Sequence, residues 1–224
     1  MFTLTSDRIS NPSASGNGFI SQDRNLRGRA EGTIAVAVQP ARIYAPNTEI
    51  FAEGARAKSV YQVAFGAVRV CRILADGRRQ ISAFHFAGEV FGLEPGAHHE
   101  FSAEAITNTG IRVTRLSGND DVARHLLPIA LRGLARAQQH LLLLGRQSAL
   151  ERVAAFLKDM VDRQESFDHI ELPMQRSDIG DYLGLTLETV SRTFSRLKEA
   201  GVIRLTTSRS VEIVDIDALE AMVG

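Results

Sequence analysis

The sequence predicts an α+β fold in three parts: an antiparallel β-roll, one long helix, and a terminal unit of short helices and strands. Three observations predict it: short β-prone runs split by turn residues, then a heptad-like apolar stripe, then two short helical segments joined at a glycine. With 224 residues, the chain is long enough for two domains that each bury a core.

Composition excludes several classes of protein. Hydrophobic residues make up 44% and charged residues 23%, which is ordinary for a soluble domain. Apolar runs, such as the four leucines at residues 141–144, reach at most five residues and are too short to cross a bilayer, so no membrane partner is expected. The N-terminal residues lack a secretion signal, and we expect a cytoplasmic protein. The single cysteine, Cys71, excludes an intrachain disulfide and a four-cysteine metal cluster within one chain.

Net charge does not indicate a nucleic-acid partner. The formal charge is zero, and residues 150–224 hold nine Lys/Arg against fourteen Asp/Glu. Affinity for DNA depends on local potential rather than total charge, however. Between Thr186 and Arg204 the bases Arg192, Arg196, Lys198 and Arg204 outnumber the acids Glu188 and Glu199.

The N-terminal half divides into an arm and a β-rich domain. Residues 1–32 are rich in Ser, Asn, Gly and Arg and are predicted to form a flexible arm. Residues 33–117 contain the runs TIAVAV, SVYQVAFGAVRVCRIL, RRQISAFHF and EFSAEAIT. Asp76-Gly77 between two such runs predicts a hairpin. Strands at this spacing predict an antiparallel barrel or roll that ends near Leu116.

A long helix is expected within residues 118–146, from about Asn119 to Gly145. Its apolar positions recur at alternating steps of three and four, and they are Leu127, Ala130, Leu134, Ala137, Leu141 and Leu144. This spacing favours a dimer seam, since a helix packed on its own barrel usually has a wider apolar face. Pro128 inside the pattern predicts that the regular helix begins or kinks there.

The remaining residues, 147–224, contain a helix-turn-helix with flanking strands. Helices are predicted at residues 150–163, 176–183 and 187–199, and strands at 169–172, 202–206 and 211–214. Gly184 lies where the first helix of the motif must stop. The small core of the motif is predicted from Ile179, Leu183, Leu185, Val190 and Leu197, with Phe194 on the same face of the second helix.

The opposite face of the second helix carries groups that suit the edges of bases. Glu188, Ser191, Arg192 and Ser195 share one stripe, and such a stripe fits the major groove. Arg192 can donate two hydrogen bonds to guanine, Glu188 can accept from cytosine, and Leu187 can contact a thymine methyl.

Four residues are predicted to contact phosphates, which set register rather than sequence: Arg176, Thr186, Thr189 and Arg209. Thr186 is also the predicted N-cap of the second helix, and residues 207–210 the turn of a wing. The alternative is an ordinary surface helix. Its charges, with Glu188 near the N-terminus and Lys198 near the C-terminus, would then serve only to offset the helix dipole.

The segment RSDIGDYLGLTLETVSRTFSRLKEAGVI resembles the winged helix-turn-helix of the CRP/FNR superfamily of bacterial regulators, and DIGDYLGLTLETVSR is most similar to its FixK branch. The stretch GRRQISAFHFAGEVFGLE resembles the cyclic-nucleotide-binding-like β-roll of that family. The resemblance implies a homodimer in which Glu188, Arg192 and Ser191 read bases. It also implies symmetric TTGA-type sites on double-stranded DNA and recruitment of RNA polymerase.

Departures from the family limit what the β-roll is expected to sense. Nucleotide-responsive members carry a glutamate after the Gly-Glu-x-x-Gly turn and then an Arg-Ser pair. Here these positions are Leu93 (or, with a shift, Glu94) and Phe101-Ser102. Without that arginine, cyclic-nucleotide binding is not expected. Residues 1–32 contain no cysteine, which excludes the N-terminal iron–sulfur cluster of FNR. Gln175 stands where some FixK-type proteins have a redox-active cysteine.

No cofactor, metal site or catalytic site is predicted. Cys71 in VRVCRIL fits an inert core residue better than a reactive thiol. His85, His98 and His99 with Glu100 suggest a cupin-like metal site, but the His-x-His spacing is missing, and His98-His99 fit a solvated loop better. We expect a DNA-binding activator without cyclic-nucleotide or iron–sulfur control. The alternatives are a ligand-gated regulator, with haem held by His85 or Cys71 for example, and a cupin-like enzyme.

Overall fold

The computed structural model describes residues 40–115, 120–146, 148–166 and 168–223. The predicted arm (residues 1–32) and the apolar run at residues 33–38 lie outside the described residues. Within the described ranges, no helix has the length and apolarity that a bilayer crossing requires.

In the described part of the N-terminal half, eight strands form two four-stranded antiparallel sheets. They are β1 (Arg42–Tyr44), β2 (Glu49–Phe51), β3 (Ser59–Phe65), β4 (Ala67–Ile73), β5 (Arg79–Phe86), β6 (Val90–Phe91), β7 (Ser102–Ala105) and β8 (Thr109–Arg115). The strand orders are β1-β8-β3-β6 and β2-β7-β4-β5. Asp76-Gly77 lies in the turn between β4 and β5, and Gly77 adopts a φ of 82°. The predicted hairpin is therefore present.

Helices and a small sheet follow the β-roll. They are α1 (Asp120–Leu144), α2 (Ala149–Gln164), β9 (His169–Glu171), α3 (Arg176–Leu183), α4 (Leu187–Glu199), β10 (Ile203–Leu205), β11 (Ser210–Ile213) and α5 (Ile216–Ala221). The order of the small sheet is β10-β11-β9. α1 begins at Asp120, so Pro128 lies inside the helix. Of the two alternatives that the sequence left open, a helix that begins at Pro128 is therefore wrong, and a kink at Pro128 stays a prediction.

Large apolar side chains lie exposed along α1. Leu127, Leu134 and Leu141 of the predicted seam are exposed, and Leu131 and Leu142 are exposed beside them. Leu144, also assigned to the seam, is half-buried and packs against the core of its own chain. The exposed leucine stripe is thus rotated slightly from the predicted one, and its role as a dimer seam stays a prediction.

One apolar core joins the β-roll to the C-terminal helices. Phe84 of β5 meets Phe156 of α2 with ring centroids 6.4 Å apart and Tyr182 of α3 at 5.1 Å. The His140 ring of α1 stacks on Tyr182 at 3.9 Å, and its Nε2 lies 2.8 Å from the Tyr182 carbonyl oxygen. These contacts seat α3 on the outer surface of the β-roll.

Glu89 anchors α1 and α2 to the end of β5. Its carboxylate pairs with Arg163 at 2.9 Å and with Arg136 at 3.0 Å, and His85 lies 3.5 Å away. Burial raises the pKa of Glu89, but His85, Arg163 and Arg136 outweigh burial and lower the pKa to about 2. Glu89 is therefore ionised at neutral pH and holds three elements together.

Candidate nucleic-acid interface

The helices α3 and α4 begin and end at the residues predicted from the sequence. Gly184 adopts a φ of 65°, a left-handed conformation that glycine accepts without strain, and it stops α3. The Thr186 hydroxyl accepts from the Thr189 amide at 3.2 Å, so Thr186 is the N-cap of α4. A capping box between Gln175 and Asp178 begins α3.

The two helices form a tightly packed unit. The predicted core residues Ile179, Leu183, Val190, Phe194 and Leu197 are buried, and Leu185 is half-buried. A Cβ on Gly180 would lie 2.7 Å from the Leu185 carbonyl oxygen, so only glycine lets the turn approach α3 this closely. The position of α3 therefore determines the position of α4.

The predicted base-reading residues share an exposed face of α4. Leu187, Glu188, Ser191 and Arg192 are all exposed, as is Ser195. Hydrogen bonds from its own backbone amide and from Thr186, together with the charge of Arg192, lower the pKa of Glu188. Glu188 and Arg192 do not form an ion pair within 4.0 Å. Both side chains are therefore exposed and not paired with each other, although the Glu188 carboxylate already accepts hydrogen bonds at the start of α4.

The predicted phosphate contacts at the start of α4 lie side by side. The hydroxyl oxygens of Thr186 and Thr189 are 3.1 Å apart, with Thr186 exposed and Thr189 half-buried. Free amides at a helix N-terminus attract anions. These hydroxyls therefore lie where a phosphate would be favoured.

Arg176, at the first position of α3, carries an uncompensated charge. Its guanidinium lies over the Phe194 ring, 3.3 Å from the centroid, and its Nη1 is buried without a hydrogen-bond partner in the described chain. Burial lowers the pKa of Arg176 to about 10. No carboxylate of the described residues pairs with this guanidinium, so its charge is left uncompensated within the described chain, and only the part of the side chain that stays exposed can meet an anion.

The wing is the turn between β10 and β11, at residues 206–209, and all four of these residues are exposed. Arg209 is among them, while Ser210, which the sequence placed in the turn, is buried in β11. Arg204 pairs with Glu212 at 2.7 Å, so its charge adds little to the local positive potential that the sequence indicated.

Sequence reasoning missed the charged contacts that hold α3 from both sides. Asp178 and Asp181 of α3 meet Arg69 and Arg79 of the β-roll. At the other end of α3, Arg152 of α2 donates from Nη1 to the Leu183 carbonyl at 3.1 Å and from Nε to the Arg146 carbonyl at 3.1 Å. The partners lie far apart in the sequence, and no local pattern marks them.

The side chains of the β-roll that the sequence analysis examined as ligand-binding candidates are mostly buried or hydrogen-bonded to other residues of this chain. The Ser102 hydroxyl accepts from the Glu53 amide at 2.9 Å, and Glu94 lies 3.2 Å from His99 Nδ1. Cys71 is buried, and burial raises the pKa of its thiol to about 11, as an inert core residue requires. Among the described residues, no group of three or more potential ligands is arranged for a metal ion.

The solvated-loop interpretation is correct for His98, which is exposed, but wrong for His99. The His99 side chain is fully buried, and its ring stacks on Phe51 with centroids 3.7 Å apart. The His99 ring can pack in the core because Glu94 contacts its Nδ1 and Phe51 covers its face. Pro95 and Gly96, which indicated an exposed loop, gave no sign of this burial.

A cavity of about 590 Å³ lies between β5, α1 and α2. Its wall includes His85 and Phe84 from β5, Arg132 and Arg136 from α1, and Lys158 from α2. The space is large enough for a small organic ligand.

Comparisons with known proteins agree with this architecture. Residues 41–121 match the cyclic nucleotide-binding domain, and residues 151–222 match the Crp-like helix-turn-helix domain. The chain is 50% identical over 179 residues to the nitrogen fixation regulation protein FixK of Rhizobium meliloti, covering 80% of this chain and 85% of that protein. It is 37% identical over 192 residues to the transcriptional activatory protein AadR of Rhodopseudomonas palustris, covering 80% and 79%.

Among solved structures, FixK2 from Bradyrhizobium japonicum superposes with a TM-score of 0.78 at 43% identity. The match covers 82% of this chain and 96% of that one.

Proposed function

The chain belongs to the CRP/FNR family of transcription regulators, in its FixK-like branch, and from this premise we propose that it binds two-fold symmetric TTGA-type DNA sites as a homodimer. The proposal extends to activation of transcription through contact with RNA polymerase in the cytoplasm. FixK and AadR are regulators, and we propose no enzymatic activity for this chain.

The observation that supports this function best is the exposed face of α4. A carboxylate at Glu188 and a guanidinium at Arg192 lie one helical turn apart, unpaired with each other and accessible. Arg176, whose guanidinium is partly buried and unpartnered among the described residues, lies at the start of α3 and packs over Phe194 of α4. Base-edge donors and acceptors next to phosphate ligands are the combination that sequence-specific DNA binding requires.

The exposed leucines of α1 support the homodimer. Isolated leucines are common on protein surfaces, but a stripe of them along one helix needs a partner. A second copy of α1 would cover Leu127, Leu134 and Leu141 at once, and a symmetric dimer would present two copies of α4 to a symmetric site.

Independence from cyclic nucleotides is supported by two features of the β-roll. No arginine stands at the position of the family's phosphate-binding Arg-Ser pair, where the chain has Phe101 and Ser102. Glu94, the shifted candidate for the family's glutamate, already accepts from the Glu100 amide at 3.4 Å and contacts His99. We propose that the activity of the protein depends on its amount and not on a bound nucleotide.

Selection of binding sites from random duplex DNA tests the function directly. The purified protein, without any added ligand, is expected to enrich a two-fold symmetric motif with TTGA-type half-sites. Enrichment of no motif, or of an asymmetric one, would contradict the proposal. Enrichment only after addition of cAMP would contradict the independence from nucleotides.

Arg192→Ala tests the assignment of the reading face. Loss of a bidentate contact to guanine is expected to cost about 1–3 kcal/mol on the selected site and to relax discrimination at one base pair of each half-site. Lys198→Ala, at an exposed residue near the end of the same helix, is the control and should leave discrimination unchanged. Equal discrimination by Arg192→Ala and wild type would refute the assignment.

The second candidate function is a regulator gated by a ligand, and the cavity between β5, α1 and α2 favours it. His85 lines this cavity, and burial lowers the pKa of His85, so its imidazole is neutral and able to ligate iron. A visible absorption spectrum of the purified protein separates the two candidates. A Soret band would favour the haem-gated version over the ligand-free one.

A further inference from the structure

Resting on the proposed function, we infer that Arg69 and Arg79 of the β-roll clamp Asp178 and Asp181 of α3 and thereby set which half-site spacing the dimer accepts. The clamp makes these four side chains positioning residues for DNA binding, although none of them lies on the reading face of α4.

The geometry of the clamp joins two distant parts of the chain. Arg69 donates from Nη1 to the Asp178 carboxylate at 3.3 Å and from Nε to Glu104 at 2.8 Å. Arg79 donates from Nη2 to Asp178 and from Nε to Asp181 at 2.8 Å. One carboxylate of α3 therefore meets two guanidinium groups from neighbouring strands of one sheet.

Burial makes these contacts more demanding than surface ion pairs. The side chain of Asp178 is 3% exposed and that of Arg69 is 9% exposed. A buried ion is tolerated only when its partners stay in place, because little water is present to replace them. Moving α3 away from the β-roll would remove both guanidinium partners of the buried Asp178 carboxylate, whereas Arg69 would keep Glu104, so the docked arrangement of α3 is favoured mainly by the cost of exposing Asp178 unpaired.

The docking of α3 is transmitted to the reading face. Gly180 lets the turn before α4 pack directly on α3, and the shared core residues bury the rest of the contact. Since α3 and α4 move as one unit, a clamp on α3 fixes the direction of α4 relative to the β-roll. In a dimer, that direction sets the distance between the two reading helices and hence the number of base pairs between half-sites.

Asp178 has a second task that complicates its substitution. Its carboxylate also accepts from the Gln175 amide at 3.3 Å in the capping box, so a change there would weaken the start of α3. Arg79 and Asp181 are better targets, because their side chains are 25% and 30% exposed and neither caps a helix. Arg78 provides a matched control, since it is exposed and, within the described ranges, its side chain pairs only with Asp76 of its own hairpin.

The experiment measures binding of the full-length protein to the selected operator and to operators with one base pair inserted or deleted between the half-sites. Wild type and Arg78→Gln are expected to lose about 30-fold or more in affinity on the altered spacings, because helix-turn-helix units held rigidly on the β-roll fit only one distance between half-sites. Arg79→Gln and Asp181→Asn should bind the selected operator about 10-fold more weakly and lose only about 3-fold on altered spacings.

Both variants should still discriminate between correct and mutated half-sites as well as wild type does. A partly unfolded helix-turn-helix would lose this discrimination. The double variant should behave like Arg79→Gln, because that substitution already removes the Arg79–Asp181 contact together with the contact to Asp178. Wild-type spacing discrimination in Arg79→Gln and Asp181→Asn would overturn the clamp alone. Failure of wild type to bind any sequence specifically would overturn both the clamp and the proposed function.

Discussion

The close approach at Gly180 yields a quantitative prediction. Gly180→Ala adds a Cβ that would lie 2.7 Å from the Leu185 carbonyl oxygen, whereas ordinary contact begins near 3.4 Å. The carbonyl therefore has to move by about 0.7 Å, and it immediately precedes the N-cap of α4. The substitution is expected to shift the start of the reading helix.

Two opposing effects determine the free energy of unfolding. Alanine in place of a helical glycine stabilises a helix by about 0.5–1 kcal/mol. Forcing an extra methyl group into a packed site costs about 1–3 kcal/mol. Since the clashing atom is backbone, we expect the steric cost to dominate, with a net loss of about 1–2 kcal/mol. Gly133→Ala in α1 meets no atom within 4 Å and should instead gain about 0.5–1 kcal/mol.

Thermal unfolding and fluorescence anisotropy with the selected operator measure the two consequences. Gly180→Ala should lower both stability and operator affinity, while Gly133→Ala should raise the melting temperature and leave affinity unchanged. If Gly180→Ala were stabilised as much as Gly133→Ala and bound the operator normally, the contact between α3 and the turn would not constrain the reading helix.

Three further predictions address phosphate contact, assembly and pH. Arg176→Ala should weaken binding to all sequences alike and reduce the slope of log affinity against log salt by about one, and an unchanged slope would remove Arg176 from the interface. Leu141→Asp should produce a monomer in analytical ultracentrifugation, whereas Gln139→Asp on the opposite face of α1 should not; a dimeric Leu141→Asp would contradict the seam. Glu89→Gln should cost about 2–3 kcal/mol at pH 7 in urea denaturation. The folded pKa of Glu89, about 2, lies below its ordinary value of 4.5, so the carboxylate stabilises the fold above about pH 4.5. Its contribution, and with it the difference from Glu89→Gln, should disappear as the pH falls towards 2; a constant difference would contradict the assignment.

Local chemistry explains why the helix-turn-helix was predictable. Gly184 supplies a positive φ, Thr186 supplies a cap, and the apolar residues of α4 recur at helical spacing. Each signal lies within a few residues of the feature that it determines. The strand pairing of the β-roll was predictable only in outline, since turn residues mark the ends of strands but not their partners.

The parts that escaped prediction depend on distant partners. Arg69 and Asp178 are separated by 109 residues, and each would pass for a surface charge in its own segment. His99 follows a proline and a glycine, which are typical of an exposed loop, yet the Phe51 ring buries it. Leu144 fits the heptad spacing of α1, but its side chain packs against the core formed with the C-terminal helices.

Arg152 of α2 links the end of α1 to the end of α3. Its single guanidinium holds the carbonyl just past the end of α1 and the carbonyl that ends α3. In the proposed homodimer, a tilt of α1 imposed by the second copy would therefore either carry α3 and α4 along or break one of these two hydrogen bonds. Arg152 therefore couples the direction of α1 to the direction of α3. In the proposed dimer, the angle between the subunits and the distance between the two α4 helices would then change together.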